Sequence, residues 1–570
     1  MIMSKKILIV IIMSLFFSVS LISEETKNNE SVSKTIADRL NPTESDFPSG
    51  RATDQIVIYT PEFRERTGTN QWGIEATIVD GVVTKMGGND SVIPKNGLII
   101  SGHGNGADWI RQNLKKGAIV MVKGKEIKVR LSEISEIYDA ESAIETAENY
   151  FKKKHSIDDI SKASEKSEEA KKFLITIKEA QELLSKARKL SSEKESEKGL
   201  KKASEAKKIA NDLYYDEIDS KDVEIRGVWH RLTEKSPEEL IKTLDRLKEA
   251  NFNAIFPETW YHGMTIYPSE VVDQLPEFKG WDPLKVLVEE GKKRGIEVYV
   301  WVENFFVGVE EQHSLKHYKD WLAVRKDGKI ISELENGYIY LCPARKESRE
   351  LVLNVYKEMV KKYAIAGLQL DYVRYPRSIP YEKGYCYCDY CKNEFKKFYG
   401  VNPLEITPEG NPEMWEKWRK WREDNITSFV ETVVKELKAI RKDLKISGAV
   451  FPEYESSLTE IMQNWKLWID KGWLDFVCPM IYSDDKEWVD KTTQNFLKLV
   501  GNTPTAPGIA PFMKIPTNNI IEQILILREA GASGVVMFAL HSVTDDLIYA
   551  LKRGPFRQSA KMLIETKSKN

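Results

Sequence analysis

The sequence has few cysteines and almost no net charge. Its 570 residues include 5 cysteines, so disulfides cannot be the main source of stability, and the odd count leaves at least one thiol unpaired within the chain. The 85 basic and 87 acidic side chains leave a net charge of -2, which gives no overall field for attracting nucleic acid or anionic lipid. We therefore expect no nucleic-acid partner. With 41% hydrophobic and 30% charged residues, the chain is instead typical of a globular protein with several domains.

Several motifs of cofactor and nucleophile chemistry are also missing. The sequence contains no G-x-S-x-G, no H-E-x-x-H, no G-x-x-x-x-G-K-[ST] and no G-x-G-x-x-G after a predicted strand. We therefore expect no nucleotide cofactor and no catalytic metal. Hydrolysis without a cofactor, or binding, are the classes that remain.

The first residues predict export. Residues 1–23 contain Lys5 and Lys6, and from Ile7 to Ile22 they hold only apolar residues and small serines, which is the pattern of a secretory signal peptide. The apolar run is short for a membrane span, although an uncleaved anchor is the alternative. We therefore predict a secreted, periplasmic or cell-envelope protein. Residues 24–50 are rich in Ser, Thr, Glu, Asn and Pro and predict a flexible linker.

Two different segments follow the predicted linker. Residues 51–135 alternate short β-like runs such as QIVIYT, GIEATIV and GLIISG with glycine-rich turns, and predict a small, mostly antiparallel β-rich domain. His103 lies in one of these turns as either a site residue or, as we favour, a turn residue without chemistry. Residues 136–218 carry apolar side chains at helical spacing and predict a helical hairpin or coiled coil. This helical segment would space its neighbours, self-associate or bind a partner.

Residues 222–560 alternate apolar runs with segments of helical period, and residues 561–570 are interpreted as a C-terminal tail. Strands that alternate with helices form parallel sheets. Eight such units in this length are typical of an α/β fold of the (β/α)8, or TIM-barrel, type. The eight predicted strands are Glu224–His230, Asn253–Trp260, Glu297–Asn304, Gly367–Pro376, Lys445–Glu453, Phe476–Ser483, Pro504–Pro511 and Gly534–His541.

Acidic and aromatic side chains gather at the predicted carboxyl ends of these strands, where such barrels carry their chemistry. Hydrolysis of a glycosidic bond needs a carboxylic acid that protonates the leaving oxygen and a carboxylate that attacks, stabilises the cationic sugar or activates water. We predict Asp371 as the nucleophile or base and Glu453, on the next strand, as the acid, with Glu303 and Glu258 as rivals of Glu453. The residues predicted to bind substrate are Trp229, His230, Glu258, Trp260, Trp301, Glu303, Asn304, Tyr372, Arg374, Tyr482 and His541.

Each of these interpretations has a structural alternative. Arg374 is expected to keep the pKa of Asp371 low and to orient its carboxylate, but such a pair could also only brace the barrel rim. The rings at the strand ends either form subsites for a chain of sugars or pack in the core, because neighbouring residues of a strand point to opposite faces. Another aromatic cluster has helical spacing and is interpreted as packing: Trp415, Trp418 and Trp421.

A cysteine cluster follows the fourth predicted strand. Cys386, Cys388 and Cys391 form CYCDYC, a spacing that can present thiolates to zinc. Only three ligands are local, so a fourth, such as Cys342, would have to come from a distance. In an exported chain a disulfide competes with metal binding, and a disulfide or free thiols are the favoured interpretation.

The residues of the second half resemble a known family. RGVWH, WDPLKVLVEEGKKRGIEVYVW, GLQLDYVRYP, CYCDYC, WREDNITSFV and DFVCPMIYS together are similar to the bacterial family-10-like glycosyl hydrolases, over about Glu224 to Leu551. The resemblance implies a (β/α)8 barrel acting on cell-wall or exopolysaccharide glycans, with amino-sugar polymers favoured. It also places the acidic position of the family on Asp371. Many relatives have a second acid next to it, whereas this chain has Tyr372, so the resemblance does not identify the second carboxyl.

The leading hypothesis is an exported glycoside hydrolase that cleaves an envelope or extracellular polysaccharide, such as peptidoglycan strands, and associates with the cell wall. The alternative is a carbohydrate-binding or scaffolding protein built on a catalytically silent barrel. A third hypothesis places a phosphodiester glycosidase activity in the β-rich module around His103, because IPKNGLIISGHGNGADWI resembles part of phosphodiester-glycosidase-like proteins.

Overall fold

The structure is a computed structural model that describes residues 32–42, 55–69, 73–309, 315–335 and 337–562. The predicted signal peptide at residues 1–23 lies outside the described residues. The chain divides into two compact units, Met1–Asp219 and Ser220–Asn570. Within the described ranges, no helix is both long enough and apolar enough to cross a bilayer.

The first unit contains a β-sheet followed by a helical bundle. The sheet lies against one short helix, and both are built from residues before Leu131. The elements of this part are β1 (Val32–Ile36), β2 (Arg39–Leu40), β3 (Ile56–Tyr59), β4 (Ile74–Val79), β5 (Val82–Met86), β6 (Gly97–Gly102), α1 (Asn105–Asn113), β7 (Ile119–Lys123) and β8 (Glu126–Arg130).

The β-rich domain predicted here is confirmed. Its described strands lie in the order β1-β8-β7-β5-β4-β6-β3-β2, and all neighbours are antiparallel except β2 and β3. Alternate side chains of the central strands, such as Ile58, Ile78 and Ile100, are buried with Ala107 and Ile110 of α1. Burial of one face of a pleated sheet against a helix supplies the hydrophobic stabilisation of this domain.

The flexible linker predicted for residues 24–50 is wrong over part of its length. β1 pairs with β8 along its whole length, from Val32 opposite Arg130 to Ile36 opposite Glu126, and β2 pairs with β3. β1 is an edge strand with a mostly polar sequence, VSKTI, so its order comes from backbone hydrogen bonds rather than from apolar burial. Composition alone therefore does not reveal it.

The segment predicted as a helical hairpin contains three long helices. Phe151 of the first stacks on Phe173 of the second, with ring centroids 4.0 Å apart, and Tyr150 meets Tyr214 of the third edge to face. The expected stripe Ala170, Ile177 and Leu184 is buried, so the helical period was read correctly although the number of helices was not. The helices are α2 (Glu133–His155), the single turn α3 (Ile160–Ser164), α4 (Glu168–Ser192) and α5 (Ser196–Glu217).

The second unit is the predicted parallel α/β barrel. Helix starts follow the expected chemistry: Ser236 accepts a hydrogen bond from the Glu239 N–H, and Pro237 occupies the first turn of α6. The elements are β9 (Ile225–His230), α6 (Pro237–Glu249), β10 (Ala254–Tyr261), β11 (Met264–Thr265), α7 (Pro283–Arg294), β12 (Glu297–Glu303), β13 (Phe306–Gly308), α8 (Leu315–Tyr318), β14 (Ile339–Tyr340), α9 (Lys346–Lys362), β15 (Gly367–Asp371), α10 (Asp389–Tyr399), α11 (Pro412–Ile440), β16 (Lys445–Val450), α12 (Tyr454–Ile461), α13 (Trp465–Asp470), β17 (Phe476–Pro479), α14 (Lys486–Val500), β18 (Gly508–Ile509), α15 (Thr517–Ala530), β19 (Gly534–Met537) and α16 (Asp545–Arg553).

The barrel strands run parallel in the order β17-β16-β15-β12-β10-β9-β19-β18. Two isolated parallel bridges, Val477 to Thr505 and Met480 to Gly508, connect the two ends of this order and close the cylinder. The interior is filled by large side chains, as is usual for a barrel of this size. The buried interior residues include Ile225, Trp229, Phe256, Tyr299, Trp301, Phe476, Cys478 and Val536.

The amino-terminal end of the barrel is tied to the last described residues. Arg226 is completely buried and donates to Glu224, which also pairs with Arg528. Lys561 exchanges backbone hydrogen bonds with the chain at Asp222 and Glu224, and Met562 is buried. Residues 561 and 562, which were predicted to begin a C-terminal tail, are therefore part of the fold, and residues 563–570 lie outside the described part.

Candidate active site

Three acidic side chains lie at the carboxyl ends of three neighbouring strands. Glu258 is near the end of β10, Glu303 ends β12 and Asp371 ends β15. Glu303 and Asp371 are direct partners in the parallel register, so their side chains leave the sheet side by side. With Arg231, which follows β9, these residues form a group that we call the carboxyl cluster.

Asp371 is held by two N–H donors and is almost completely buried, with 6% of its surface exposed. The Trp301 indole N–H donates to Oδ2 at 2.9 Å, and the backbone N–H of Tyr372 donates to Oδ1 at 2.7 Å. Burial raises the pKa of Asp371 to about 6, while the two N–H donors, Arg374 and Arg231 lower it. Asp371 is therefore mostly ionised at neutral pH.

The backbone around Asp371 is also fixed. The Asn304 side chain donates to the Asp371 carbonyl at 2.6 Å and accepts from the Tyr356 hydroxyl, so this predicted sugar-binding residue is fully buried and orients the chain. Tyr372 has a φ of 47°, in the left-handed region that non-glycine residues rarely adopt. Such backbone strain is frequent at functional sites, and here it aims an N–H at the carboxylate.

Arg231 joins the two glutamates. Its Nε donates to Glu258 at 3.0 Å and its Nη2 donates to Glu303 at 3.1 Å. The guanidinium also lies over the rings of Trp301 and Phe538. Glu258 is 4% exposed and Glu303 is completely buried, so Arg231 covers the pair and provides its positive counter-charge.

Burial raises the pKa values of both glutamates, and each glutamate also acts on the other. Burial and the neighbouring charge of Glu258 raise the pKa of Glu303 well above its usual range. Burial raises the pKa of Glu258 to about 7, although Arg231 lowers it. Glu303 Oε2 has no hydrogen-bond donor within reach among the described residues, and a proton on this oxygen would give it Glu258 as an acceptor. Burial therefore favours the neutral form of Glu303, beside an Asp371 that is mostly ionised at neutral pH.

The predicted role of Arg374 needs correction. Arg374 forms an ion pair with Glu335 at 2.8 Å and lies over the rings of Tyr340 and Tyr372, rather than pairing with Asp371. Its charge does lower the pKa of Asp371, but burial has the larger effect and the net shift is upward. Arg374 therefore braces the loop beyond β15.

Glu453 does not join the carboxyl cluster. β16 ends at Val450, three residues earlier than the sequence suggested, and Glu453 is an exposed residue at the start of α12. The acids that face Asp371 are instead the two rivals, Glu303 and Glu258, whose charges act on each other and on Asp371.

The three tryptophans predicted as sugar platforms are buried. Trp229 lies inside the barrel and donates to Gln369, and Trp260 donates to the Phe306 carbonyl. Trp301 is 2% exposed and positions Asp371. Because their ring faces are covered by protein, these side chains are packing or positioning residues rather than surfaces for sugar stacking.

Half-buried aromatic residues surround the carboxyl cluster instead. Tyr372 and Tyr482, both predicted, are half-buried, and Tyr482 stacks on Phe538 with centroids 5.7 Å apart. Tyr261 and Tyr338 were missed by the sequence analysis, although the charges of Glu303 and Arg231 act on both hydroxyls. Rings that keep one edge or face open can stack on the apolar face of a sugar.

A cleft of about 370 Å³ lies beyond the ends of β9 and β19, and no residue of the carboxyl cluster lines it. Two predicted residues line it: His230, which meets Glu234 at 3.0 Å, and the exposed His541. Burial raises the pKa of Glu234, but the hydrogen bonds from His230 and Thr243 outweigh it and lower the pKa to about 2. The other lining residues are Thr233, Arg246, Leu540, Val543, Thr544 and Asp545.

Arg231 is another residue of the candidate site that the sequence analysis missed. It follows the predicted strand tip His230 by one residue, and counting every polar residue up to two positions beyond each strand would have included it. The predicted packing role of Trp418 fits its complete burial against Trp421 and Phe395. His103 is half-buried at the turn before α1, where a side chain on Gly73 would meet its ring at 2.7 Å.

Comparison with known proteins identifies the barrel. Residues 224–507 match the family described as Glycosyl hydrolase-like 10. The barrel belongs to the glycosyl hydrolase-like 10 family. This agrees with the family resemblance of the sequence, and the chain is thus a glycoside hydrolase-like TIM-barrel protein.

Curated relatives of this glycosyl hydrolase-like 10 barrel are distant. Glycosyl hydrolase YngK of Bacillus subtilis is 22% identical over 275 residues, which cover 43% of this chain and 49% of that protein. Glycosyl hydrolase DigH of Escherichia coli K12 is 20% identical over 280 residues, which cover 43% of this chain and 57% of that protein. The chain therefore spans about half the length of the curated relatives it matches.

Solved structures include similar barrels. The catalytic domain of β-amylase from Paenibacillus polymyxa is 13% identical, with a TM-score of 0.44, and the match covers 59% of this chain and 98% of that domain. An α-L-fucosidase isoenzyme 2 from Paenibacillus thiaminolyticus is 15% identical, with a TM-score of 0.43, over 59% of this chain and 49% of that chain.

Proposed function

We propose that the barrel is a glycoside hydrolase in which Asp371 and the Glu258–Glu303 pair carry the reaction. The observation that supports this most directly is the carboxyl cluster itself, three buried acids at the carboxyl ends of adjacent barrel strands. Asp371 is mostly ionised at neutral pH, while burial raises the pKa of Glu303 well above its usual range. Environments that push the pKa values of neighbouring carboxyls apart are how glycosidases separate the base or nucleophile from the acid.

The roles follow from burial and hydrogen bonding. Asp371 accepts from Trp301 and Tyr372, which keeps the carboxylate charged and aimed, so it is the nucleophile or base. Glu258 retains a small exposed area and Glu303 has none, so Glu258 is the member of the pair that meets the glycosidic oxygen. Glu258, which is protonated below its pKa of about 7, would give its proton to the glycosidic oxygen and recover one from water as hydrolysis is completed, while the neutral Glu303 would donate a hydrogen bond to the Glu258 carboxylate. Arg231 would stabilise the carboxylate left behind.

We propose an amino-sugar polysaccharide of the cell envelope, such as peptidoglycan strands, as the substrate of an exported enzyme. The predicted signal segment supports an envelope or extracellular glycan, and the family resemblance of the sequence supports an amino-sugar polymer. The half-buried rings Tyr261, Tyr338, Tyr372 and Tyr482 would contact the sugar rings.

A second candidate is a carbohydrate-binding barrel without catalysis. One observation favours it: Arg231 pairs with both glutamates, and the three acids expose 0–6% of their surfaces. An ion pair that locks the acids would leave the rim as a binding surface.

Glycan cleavage distinguishes the two candidates. The purified full chain is incubated with peptidoglycan strands, amino-sugar oligomers and neutral glycans, and new reducing ends and product masses are measured. Asp371→Asn is expected to lower the rate of bond cleavage by about 10³–10⁴-fold, because it removes the ionised carboxylate. The matched control is Asp443→Asn, an exposed residue before β16 at the opposite end of the barrel, which should keep full activity. Glycan binding without any new reducing ends would favour the second candidate.

A further inference from the structure

Four cysteines from two distant parts of the barrel unit meet in one place. Cys342 follows β14 by two residues, and Cys386 and Cys388 lie in the loop between β15 and α10. Cys391 lies in the first turn of α10. The fifth cysteine, Cys478, lies in the barrel interior and takes no part.

The four sulfur atoms have the spacing of a tetrahedral metal site. All four Sγ atoms lie within 4.8 Å of one another, with Cys342 to Cys391 at 3.3 Å and Cys342 to Cys388 at 3.7 Å. Four sulfurs bound at about 2.3 Å to one zinc ion are separated by about 3.8 Å. A disulfide would bring two of them to about 2.0 Å. The observed sulfur–sulfur distances are close to the distance expected around a zinc ion and longer than that of a disulfide.

The surroundings of the sulfurs also suit a closed structural site. The four side chains are 0–7% exposed, so no position is open to solvent or substrate. The Val324 N–H donates to Cys386 Sγ at 3.3 Å, the kind of hydrogen bond that orients thiolate ligands. Sites formed entirely by thiolates select soft cations, and zinc is the usual occupant of such closed tetrahedral sites.

A buried arginine supplies the opposite charge. Arg422 is 2% exposed and donates to the carbonyls of Tyr385 and Trp418, and the first of these adjoins Cys386. It forms no ion pair with a carboxylate in the described part of the chain. Four thiols that lose their protons to solvent on binding zinc give a site with two net negative charges. Arg422 lies where it would offset that charge.

We propose that the four cysteines bind one structural zinc ion. The metal would join the segment after β14 to the loop after β15. These segments carry Tyr340 and Tyr372, whose rings lie 6.2 Å apart, and Arg374 lies over both. The zinc would thus hold in place the wall that stands beside Asp371. This role does not depend on whether the barrel cleaves glycans.

Metal content of the full chain tests the proposal. The protein is produced in zinc-supplemented medium without a histidine tag, and its metals are measured by inductively coupled plasma mass spectrometry. We expect about one zinc per chain in the native protein and in Cys478→Ala, the matched control. Cys342→Ala is expected to lose zinc at least about tenfold and to unfold at a lower temperature, because one of four ligands is missing.

Two measurements on the native protein keep the test decisive if Cys342→Ala does not fold. Exchange with cobalt should produce the intense visible bands of tetrahedral thiolate coordination. Alkylation after denaturation with a chelator should modify all 5 cysteines. A disulfide among the four cysteines, iron in place of zinc, absence of cobalt bands, or zinc retained in Cys342→Ala would each overturn the proposal.

Discussion

The carboxyl cluster lies at the carboxyl ends of β10, β12 and β15, the cysteine cluster lies beyond β14 and β15, and both bury ionisable groups that water would otherwise stabilise. They differ in where the positive charge comes from. In the carboxyl cluster, Arg231 donates directly to Glu258 and Glu303. In the cysteine cluster, the polar partners are the Val324 N–H and, at one remove, Arg422.

This difference separates two uses of a buried acid. A cluster with its own cation keeps a defined distribution of protons before any ligand arrives, which suits acid–base chemistry. A cluster of ionisable groups without a cationic side chain in contact with it can be stabilised by a bound metal ion. Such a cluster suits a structural metal site. Substitutions in the first should therefore change the rate of bond cleavage more than stability, and substitutions in the second should do the reverse.

The largest expected effect is the loss of cleavage rate when a carboxyl group of the proton-donating pair is replaced. Glu258→Gln and Glu303→Gln are each expected to lower the rate of glycan cleavage by about 10²–10⁴-fold, because each removes a carboxyl group of the pair that supplies the proton. The native rate should be highest between pH values of about 6 and about 7, where Asp371 is ionised and Glu258 is protonated. The measurement is the cleavage rate as a function of pH.

Glu258→Gln should also lose the decline in rate on the alkaline side, because that decline reports the loss of the Glu258 proton, whereas Glu303→Gln should keep a decline at a shifted pH. Native-like circular dichroism in both variants is the control. A cleavage rate within twofold of the native one in Glu258→Gln would remove Glu258 from the reaction.

The second largest effect is expected in the free energy of unfolding of Asp371→Asn, and it depends on pH. Burial raises the pKa of Asp371 from 3.8 to about 6, so folding disfavours the charged form and costs free energy that grows between pH values of about 4 and about 6. The cost reaches about 3 kcal/mol above this range. Asp371→Asn removes it, so the free energy of unfolding of the variant, relative to the native protein, should increase by up to about 3 kcal/mol from pH 4 to pH 7.

Urea unfolding of both proteins at the two pH values provides the measurement, and the exposed Asp443→Asn is the control that should show little change. The hydrogen bonds lost with the carboxylate weaken Asp371→Asn at both pH values, so the difference between the two values isolates the charge. A relative stability that does not change with pH would contradict the upward pKa shift.

The smallest expected effect concerns the orientation of Asp371. Trp301→Phe removes the indole N–H donor but keeps an aromatic ring, so the pKa of Asp371 should rise further and the cleavage rate should fall about tenfold, or about 1.4 kcal/mol. The acidic limb of the pH–rate profile should move to higher pH. Trp468→Phe is the control, because its indole N–H donates to Thr427, outside the carboxyl cluster.

Much of the barrel could be predicted from the sequence. The errors in the predicted strand ends have a common cause. Apolar runs locate the starts of β9, β10, β12 and β16 within one residue, because strands buried on both faces are continuously hydrophobic. The same apolar runs continue beyond the last backbone hydrogen bond between neighbouring strands. The predicted strand that ended at Glu453 stops at Val450, so the sequence placed Glu453 at a strand end, whereas the structure shows it exposed at the start of α12.

The candidate site was predictable by residue type but not by contact. Asp371, Glu258 and Glu303 were all named, since strand ends of a barrel converge. Which acids meet depends on which carboxyl groups Arg231 contacts and on the residue at which each strand ends. The spacing of residues in the sequence shows neither. The fourth cysteine could be suggested from the residues, yet its meeting with the CYCDYC loop depends on the path of the chain between β12 and β15.

The closing seam of the cylinder has a mechanical consequence. β17 and β18 meet through isolated bridges rather than a continuous ladder, whereas β10, β12 and β15 lie in the middle of the uninterrupted run of strands. Local opening costs least where the fewest hydrogen bonds must break. Local opening of the barrel is therefore expected at the seam between β17 and β18, away from the acids. The carboxyl cluster lies on strands that are continuously hydrogen-bonded to their neighbours.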